Sequence, residues 1–305
     1  MRWLAGFVMQ RRLNAILVTT VMSVIWVIFW PLMHLGTATV GLVSLRLGLQ
    51  QALTVLAGTS IVIVLLGMLA GQGYAALAFL LVVGGVLWLP ELFFTQILRK
   101  TASMSMTLQT MAFAVAALVL IFHGMVGSPE VWWQAVLQPM SGQFEQQLAI
   151  SGIDIDMPTL IERMSHVMTG VFAASLVLTS SVNVILARWW QALLYHPGGF
   201  AREFQALRLG KVLSGLTVLL ILVGIGLHNT LCMDILFVLG MCFFLQGMAV
   251  IHAVIAGLDP AKRWLIIVTY VLLALLPQVI LIIATLGWLD NWLDIRRRCP
   301  SRINH

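Results

Sequence analysis

No Asp, Glu, Lys or Arg occurs over residues 13–45, 47–90, 101–129, 164–187, 212–233, 235–258 or 264–289. A helix needs roughly 20 predominantly apolar residues to cross the hydrocarbon core of a bilayer. Every window is long enough for one crossing, and the first two are long enough for two. Only 9% of the chain is charged and 61% is hydrophobic, whereas a soluble domain is about a quarter charged. Too few charges exist to clothe a water-facing surface, so the solvent implied for these windows is lipid. The runs are continuously apolar, unlike barrel strands, which alternate over about 10 residues. In lipid the backbone must satisfy its own polar groups, and helices do so within one segment. The expected fold class is all-α: one polytopic transmembrane bundle over 1–305, with about nine membrane helices, eight or nine of them spanning.

Helices are expected near 13–35, 37–48, 49–70, 74–98, 105–126, 167–190, 212–227, 231–256 and 264–289. The second is short for a full crossing. Gly71-Gln72-Gly73 reads as the turn between the third and fourth. Arg2, Arg11 and Arg12 precede an apolar run too long for a signal peptide, and no cleavage pattern follows. The positive-inside rule puts the N-terminus in the cytoplasm, along with Arg46, Arg99, Lys100, Arg188, Arg202, Arg208, Lys211, Lys262 and Arg263. Nine spans would place Arg296, Arg297, Arg298 and Arg302 outside, against the same rule. Residues 128–166 form the one sizeable extramembrane insertion, with Glu130, Glu145, Asp154, Asp156 and Glu162 against the single base Arg163. That acidity suits the periplasmic side. Trp132, Trp133, Val131, Val136 and Phe144 suggest an amphipathic helix on the bilayer surface or capping the bundle, with a turn over 153–158.

Polar groups inside a bilayer are costly and mark candidate sites. Glu91 follows Pro90, whose ring disturbs the bond to the Val86 carbonyl. Its carboxyl could bind a cation or proton or sense a ligand; it could equally reach the interface or pair with Arg46 or Arg99. Gln246 and His252 share one helix but point to different sides. Gln246, beside Gly247, could bond across helices, and His252 is a candidate ligand or proton contact. Asn183, with Ser180 and Ser181, could line a polar seam, and Gln278 after Pro277 could satisfy loosened backbone groups. Small residues recur at four-residue spacing as Ala15/Thr19/Ser23, Gly67/Gly71 and Gly170/Ala174, which permits close helix approach. Asp290, Asp294, Arg296, Arg297 and Arg298 form a terminal cluster suited to a partner or to the membrane surface.

Cys232, Cys242 and Cys299 form no motif, and His34, His123, His166, His196, His228 and His305 are scattered without metal-ligand spacing. No metal or other cofactor is implied. The net charge of +6 comes from helix flanks, with no solvated basic face for nucleic acid. No P-loop, HExxH, GxSxG or CxxC arrangement occurs. No spacing unites an acid, a base and a nucleophile, so an enzyme is not expected.

Three stretches carry a family resemblance: Ser44-Leu45-Arg46-Leu47-Gly48, the Phe244–His252 run containing Gln246-Gly247, and the Leu286–Arg298 run containing Gly287, Leu289, Asp290, Trp292, Asp294, Arg296 and Arg297. Together they resemble the YybS-like family of bacterial integral membrane proteins. That family is itself distantly similar to the substrate-binding S components of energy-coupling-factor transporters. The resemblance implies a location in the bacterial cytoplasmic (inner) membrane and a small-molecule pocket inside the bundle. It also implies a partner module supplying ATPases. Two readings follow. The first is a small-molecule transporter or membrane solute-binding subunit, with lipid, a small ligand and possible membrane partners around it. The alternative is a non-transporting scaffold or regulator of an envelope complex. The topology is open to test: a periplasm-active phosphatase inserted within 128–166 should be active, and activity only in the cytoplasm would reverse the assignment.

Overall fold

The computed structural model describes residues 1–26, 29, 31–142, 145, 156–227 and 229–298. Phe144, Asp154, residues 153–155 of the 153–158 turn, His228, Cys299, Arg302 and His305 therefore lie outside the described residues. The described chain is helical, with no strand among the described residues. Five helices are long and apolar enough to cross a membrane, or six if the bent pair Gly199–Gln205 and Gly210–Gly226 is one span. The sequence pattern suggests nine. Two of its windows divide into shorter helices, and 15 to 16 residues of helix rise less than the roughly 30 Å of hydrocarbon that a straight span must cover.

The chain divides into two compact units, residues 1–111 with 178–208, and residues 112–177 with 209–305. The first unit begins with α1 (Arg2–Gln10) and α2 (Arg12–Ile25), separated by the extended backbone of Arg11 (φ −145°, ψ 148°). α3 runs over Leu32–Leu47 and α4 over Leu49–Leu69. The single helix expected over 13–35 is therefore broken. α2 stops at Ile25, and Pro31 precedes the first residue of α3, where a missing N–H costs nothing. The Gly71 turn forms as expected, at φ +70°, and leads into α5 (Gly73–Thr101).

α5 holds a π turn over Gly84–Trp88, in which the Leu89 N–H donates to the Gly84 carbonyl five residues back. The extra residue lies just before Pro90, where an ordinary α turn would drive the ring into the Val86 carbonyl. The helix thereby continues past the proline instead of ending. The small-residue spacing in α2 marks internal packing: Ala15, Thr19 and Ser23 are buried, and Gly36 of α3 abuts Ser23 and the Thr19 carbonyl. Gly67 of α4 likewise abuts Ala76 of α5.

Two long helices contribute to both units: α6 (Met104–Val126) and α8 (Met157–Tyr195). At 39 residues α8 is much longer than the expected 167–190, because Pro158 sits at its N-terminus, where proline is accommodated. The end of the acidic insertion is thus the first turns of α8. The second unit adds α7 (Pro129–Leu137), while α9 (Gly199–Gln205) belongs to the first. It continues with α10 (Gly210–Gly226), α11 (Thr230–Gly257), α12 (Trp264–Leu275), α13 (Val279–Leu293) and the short α14 (Ile295–Arg298). The helix expected over 264–289 is divided at Leu276–Gln278, where Pro277 cannot continue the ladder. Gln278 is exposed and occupies the N-cap position just before α13.

α7 folds back on α8 within the second unit. Trp133 stacks on Phe172 at 5.0 Å and donates from Nε1 to the Thr169 hydroxyl at 2.9 Å. The main crossing of this unit is α11 against α13. A Cβ at Gly247 would overlap the Ile283 carbonyl, and one at Gly287 would overlap the Phe243 carbonyl and the Gly247 nitrogen. The two glycines let the backbones touch, as close helix pairing in lipid requires.

This crossing predicts a sharp contrast among glycines. Gly247→Ala or Gly287→Ala should cost about 1–3 kcal/mol through overpacking. Gly215→Ala, where a Cβ meets open space, should leave stability unchanged or raise it slightly. Thermal unfolding in mild detergent reads the difference, and equal behaviour of all three variants would contradict the crossing.

Candidate functional site

In the first unit one set of buried polar residues lies on α3, α5 and α8, and a second, of Thr19, Thr20, Ser23 and Thr59, on α2 and α4. Thr37, Thr39, Ser44, Glu91, Thr95, Ser180, Ser181 and Asn183 are all buried. Most are satisfied locally. Thr37 and Thr39 donate to the Met33 and Leu35 carbonyls one turn earlier, and Thr95 donates to the Glu91 carbonyl at 2.6 Å. Ser44 and Thr95 hydroxyls lie 2.7 Å apart, and Gln96 Nε2 donates to the Ser44 hydroxyl at 2.8 Å. His34 Nδ1 lies 2.7 Å from Asn183 Oδ1, tying the start of α3 to α8. Asn183 thus makes an interhelical contact through its oxygen, and Ser181 donates to the Met111 sulfur at 3.3 Å.

Asn183 Nδ2, Thr59 Oγ1 and Trp190 Nε1 are buried in this unit without a partner, but Glu91 differs in being ionisable. It is fully buried, and neither carboxyl oxygen has a hydrogen-bond partner. Its carboxyl lies directly against the Cα of Gly41 and beside Ala187 of α8, so that any side chain at 41 would displace it. The pairing with Arg46 or Arg99 that the sequence left open is absent among the described ion pairs. Arg46 instead places its guanidinium 4.3 Å from the centroid of the Tyr195 ring. On α8, Arg188 is paired with Glu203. Isolated buried charge is among the most expensive arrangements in a protein. A carboxyl held this way, one turn past a π segment of the kind that recurs at functional sites, is the least satisfied ionisable group described here.

The second unit holds Gln246 and His252, and the structure does not bring them together. Gln246 is fully buried and exchanges hydrogen bonds with Asn291: its Nε2 donates to Asn291 Oδ1 at 3.1 Å, and Asn291 Nδ2 donates back at 3.4 Å. The Leu209 N–H donates to Gln246 Oε1 at 2.8 Å, and the Gly210 N–H donates to Asn291 Oδ1 at 3.0 Å. Gln246 therefore locks α11 to α13 and holds the start of α10. His252 Nε2 lies 3.2 Å from the Tyr270 hydroxyl of α12. Asp290 is fully buried and its Oδ2 lies 3.0 Å from a guanidinium nitrogen of Arg296, while the exposed Arg297 is 3.7 Å from Asp294. Arg298 is exposed. The inner half of the terminal cluster thus makes internal pairs.

Sequence reasoning missed one pair. His123 Nε2, in the last turn of α6, lies 2.7 Å from Asp234 Oδ2 in the second turn of α11, and Asp234 is buried. Asp234 was legible as the lone charge between two long charge-free windows. Its partner was not, being 111 positions away. No group of three or more potential metal ligands occurs among the described residues.

No family model, no curated protein and no solved structure matches the chain.

The Asp290–Arg296 pair is open to test. Arg296→Ala removes the described countercharge of a buried carboxylate and should cost about 3–5 kcal/mol. Restoring neutrality with Asp290→Asn in the same background should recover part of that loss in thermal unfolding. No recovery would show that the pair does not act as one unit.

Proposed function

We propose that this chain is a membrane transport or solute-binding protein in which Glu91 takes and releases a small cation, a proton or an alkali ion. The observation that carries the reading is a fully buried carboxyl with no hydrogen bond to either oxygen. Such a group is stabilised only when its charge is neutralised. The neighbouring cations are engaged elsewhere, Arg46 over Tyr195 and Arg188 with Glu203, which leaves the role to a mobile ion. Support also comes from the interrupted α5, since irregular backbone at membrane depth is tolerated where it lines a site. The resemblance to YybS-like proteins fits the same class. In this reading Gly41 supplies the space, Thr95 and Ser44 brace the α3–α5 contact, and Asn183 lies one turn from Ala187 on the third wall.

The test compares thermal unfolding of the wild-type protein and Glu91→Gln in mild detergent. Sodium is exchanged for N-methylglucamine at equal ionic strength, and pH is varied from mildly acidic to mildly alkaline. The wild type should respond to at least one change, and the variant should lose that response while still being expressed. A wild type indifferent to both, or a response that survives in Glu91→Gln, overturns the proposal.

A further inference from the structure

The first 90 residues contain four arginines and no carboxylate. Arg46 is stacked on Tyr195, but Arg11 and Arg12 make no ion pair among the described residues. Both line a cavity of about 130 Å³ where the end of α1 and the start of α2 meet α3 and α4. Val43 and Leu47 form its apolar floor, and Gln51 contributes a side-chain oxygen that is shielded from solvent and accepts no hydrogen bond. The kink at Arg11 is what places two consecutive arginines at this junction, since an unbroken helix would turn them 100° apart around its axis.

We infer that this cavity binds the phosphate ester of a hydroxyl-bearing anionic headgroup, with Arg11 and Arg12 on the phosphate and Gln51 accepting from a headgroup hydroxyl. Arginine presents a fork of donors matched to phosphate oxygens. No carboxylate of the described residues pairs with either arginine, which leaves both guanidinium groups for an external anion. The source is a lipid. Leu13, Leu17, Leu47 and Leu53, flanking the cavity on three helices, are exposed on the protein surface, where acyl chains would lie. Trp3 and Phe7 of α1 stack on one another with Trp3 largely exposed, as suits an interfacial helix.

Native mass spectrometry of the purified chain, exchanged into phosphatidylglycerol or phosphatidylcholine micelles, tests this. The wild type should retain phosphatidylglycerol preferentially. Arg11→Ala/Arg12→Ala should weaken that retention on the order of tenfold or more, at about one factor of several per arginine. Arg2→Ala, outside the cavity, should keep it. Gln51→Leu should reduce the preference for phosphatidylglycerol over phosphatidic acid, whose headgroup lacks the glycerol. Equal retention of phosphatidylglycerol and phosphatidylcholine by the wild type overturns the site without recourse to any variant. Displacement of the lipid by glycerol phosphate at comparable concentration would reassign the cavity to a soluble phosphate ester and overturn the lipid source. The readout is independent of Glu91, so failure here leaves the cation site standing, and the reverse also holds.

Discussion

Hydrocarbon offers no hydrogen bonds, and every polar group that enters it must bring its partner along. That constraint forces the backbone into helices over the long charge-free windows. It also decides how the remaining polar side chains are used. The hydroxyls of Thr37, Thr39 and Thr95 return to carbonyls of their own helices. Gln246 and Asn291 satisfy one another. His123 meets Asp234, and Asp290 meets Arg296. Single polar atoms such as Thr59 Oγ1 and Trp190 Nε1 are buried without a partner, but Glu91 is the buried carboxyl with neither oxygen bonded among the described residues.

The two units solve the packing problem differently. In the second, Gly247 and Gly287 bring α11 and α13 into backbone contact, and the amide pair of Gln246 and Asn291 sits beside that contact and fixes its register. Buried amides that bond to one another and to the Leu209 and Gly210 N–H groups specify a single arrangement, because a slip would leave those polar groups unpaired. In the first, α3 approaches α5 and α8 at Gly41, and the space so created is filled by the Glu91 carboxyl. A glycine serves close backbone contact in one unit and houses an ionisable group in the other. The first arrangement is closed by backbone contact, while the second buries an ionisable group.

Much of this was legible in the sequence, and the reasons for what was not are specific. Charge-free windows identify helices in lipid reliably because hydropathy is a local property, and α4, α5, α6, α10 and α11 lie close to where the pattern puts them. The same property is blind to breaks: Pro31 and Pro277 interrupt windows that remain apolar throughout, whereas Pro90, seemingly alike, is absorbed by a π turn. Glu91, Gln246 and Asn183 were each singled out as costly polar residues. Their fates diverge through contacts made across large sequence separations, with Gly41 and Ala187 for Glu91 and with Asn291 for Gln246. No spacing rule within one helix reports those contacts.

The central claim is that the Glu91 carboxyl exchanges a cation with the medium. Infrared difference spectroscopy of the reconstituted protein, cycled between sodium-containing and sodium-free buffer and between two pH values, reads carboxyl stretching directly. The account predicts a reversible change in that region for the wild type that is missing from Glu91→Gln. A difference spectrum identical in the two proteins would contradict it.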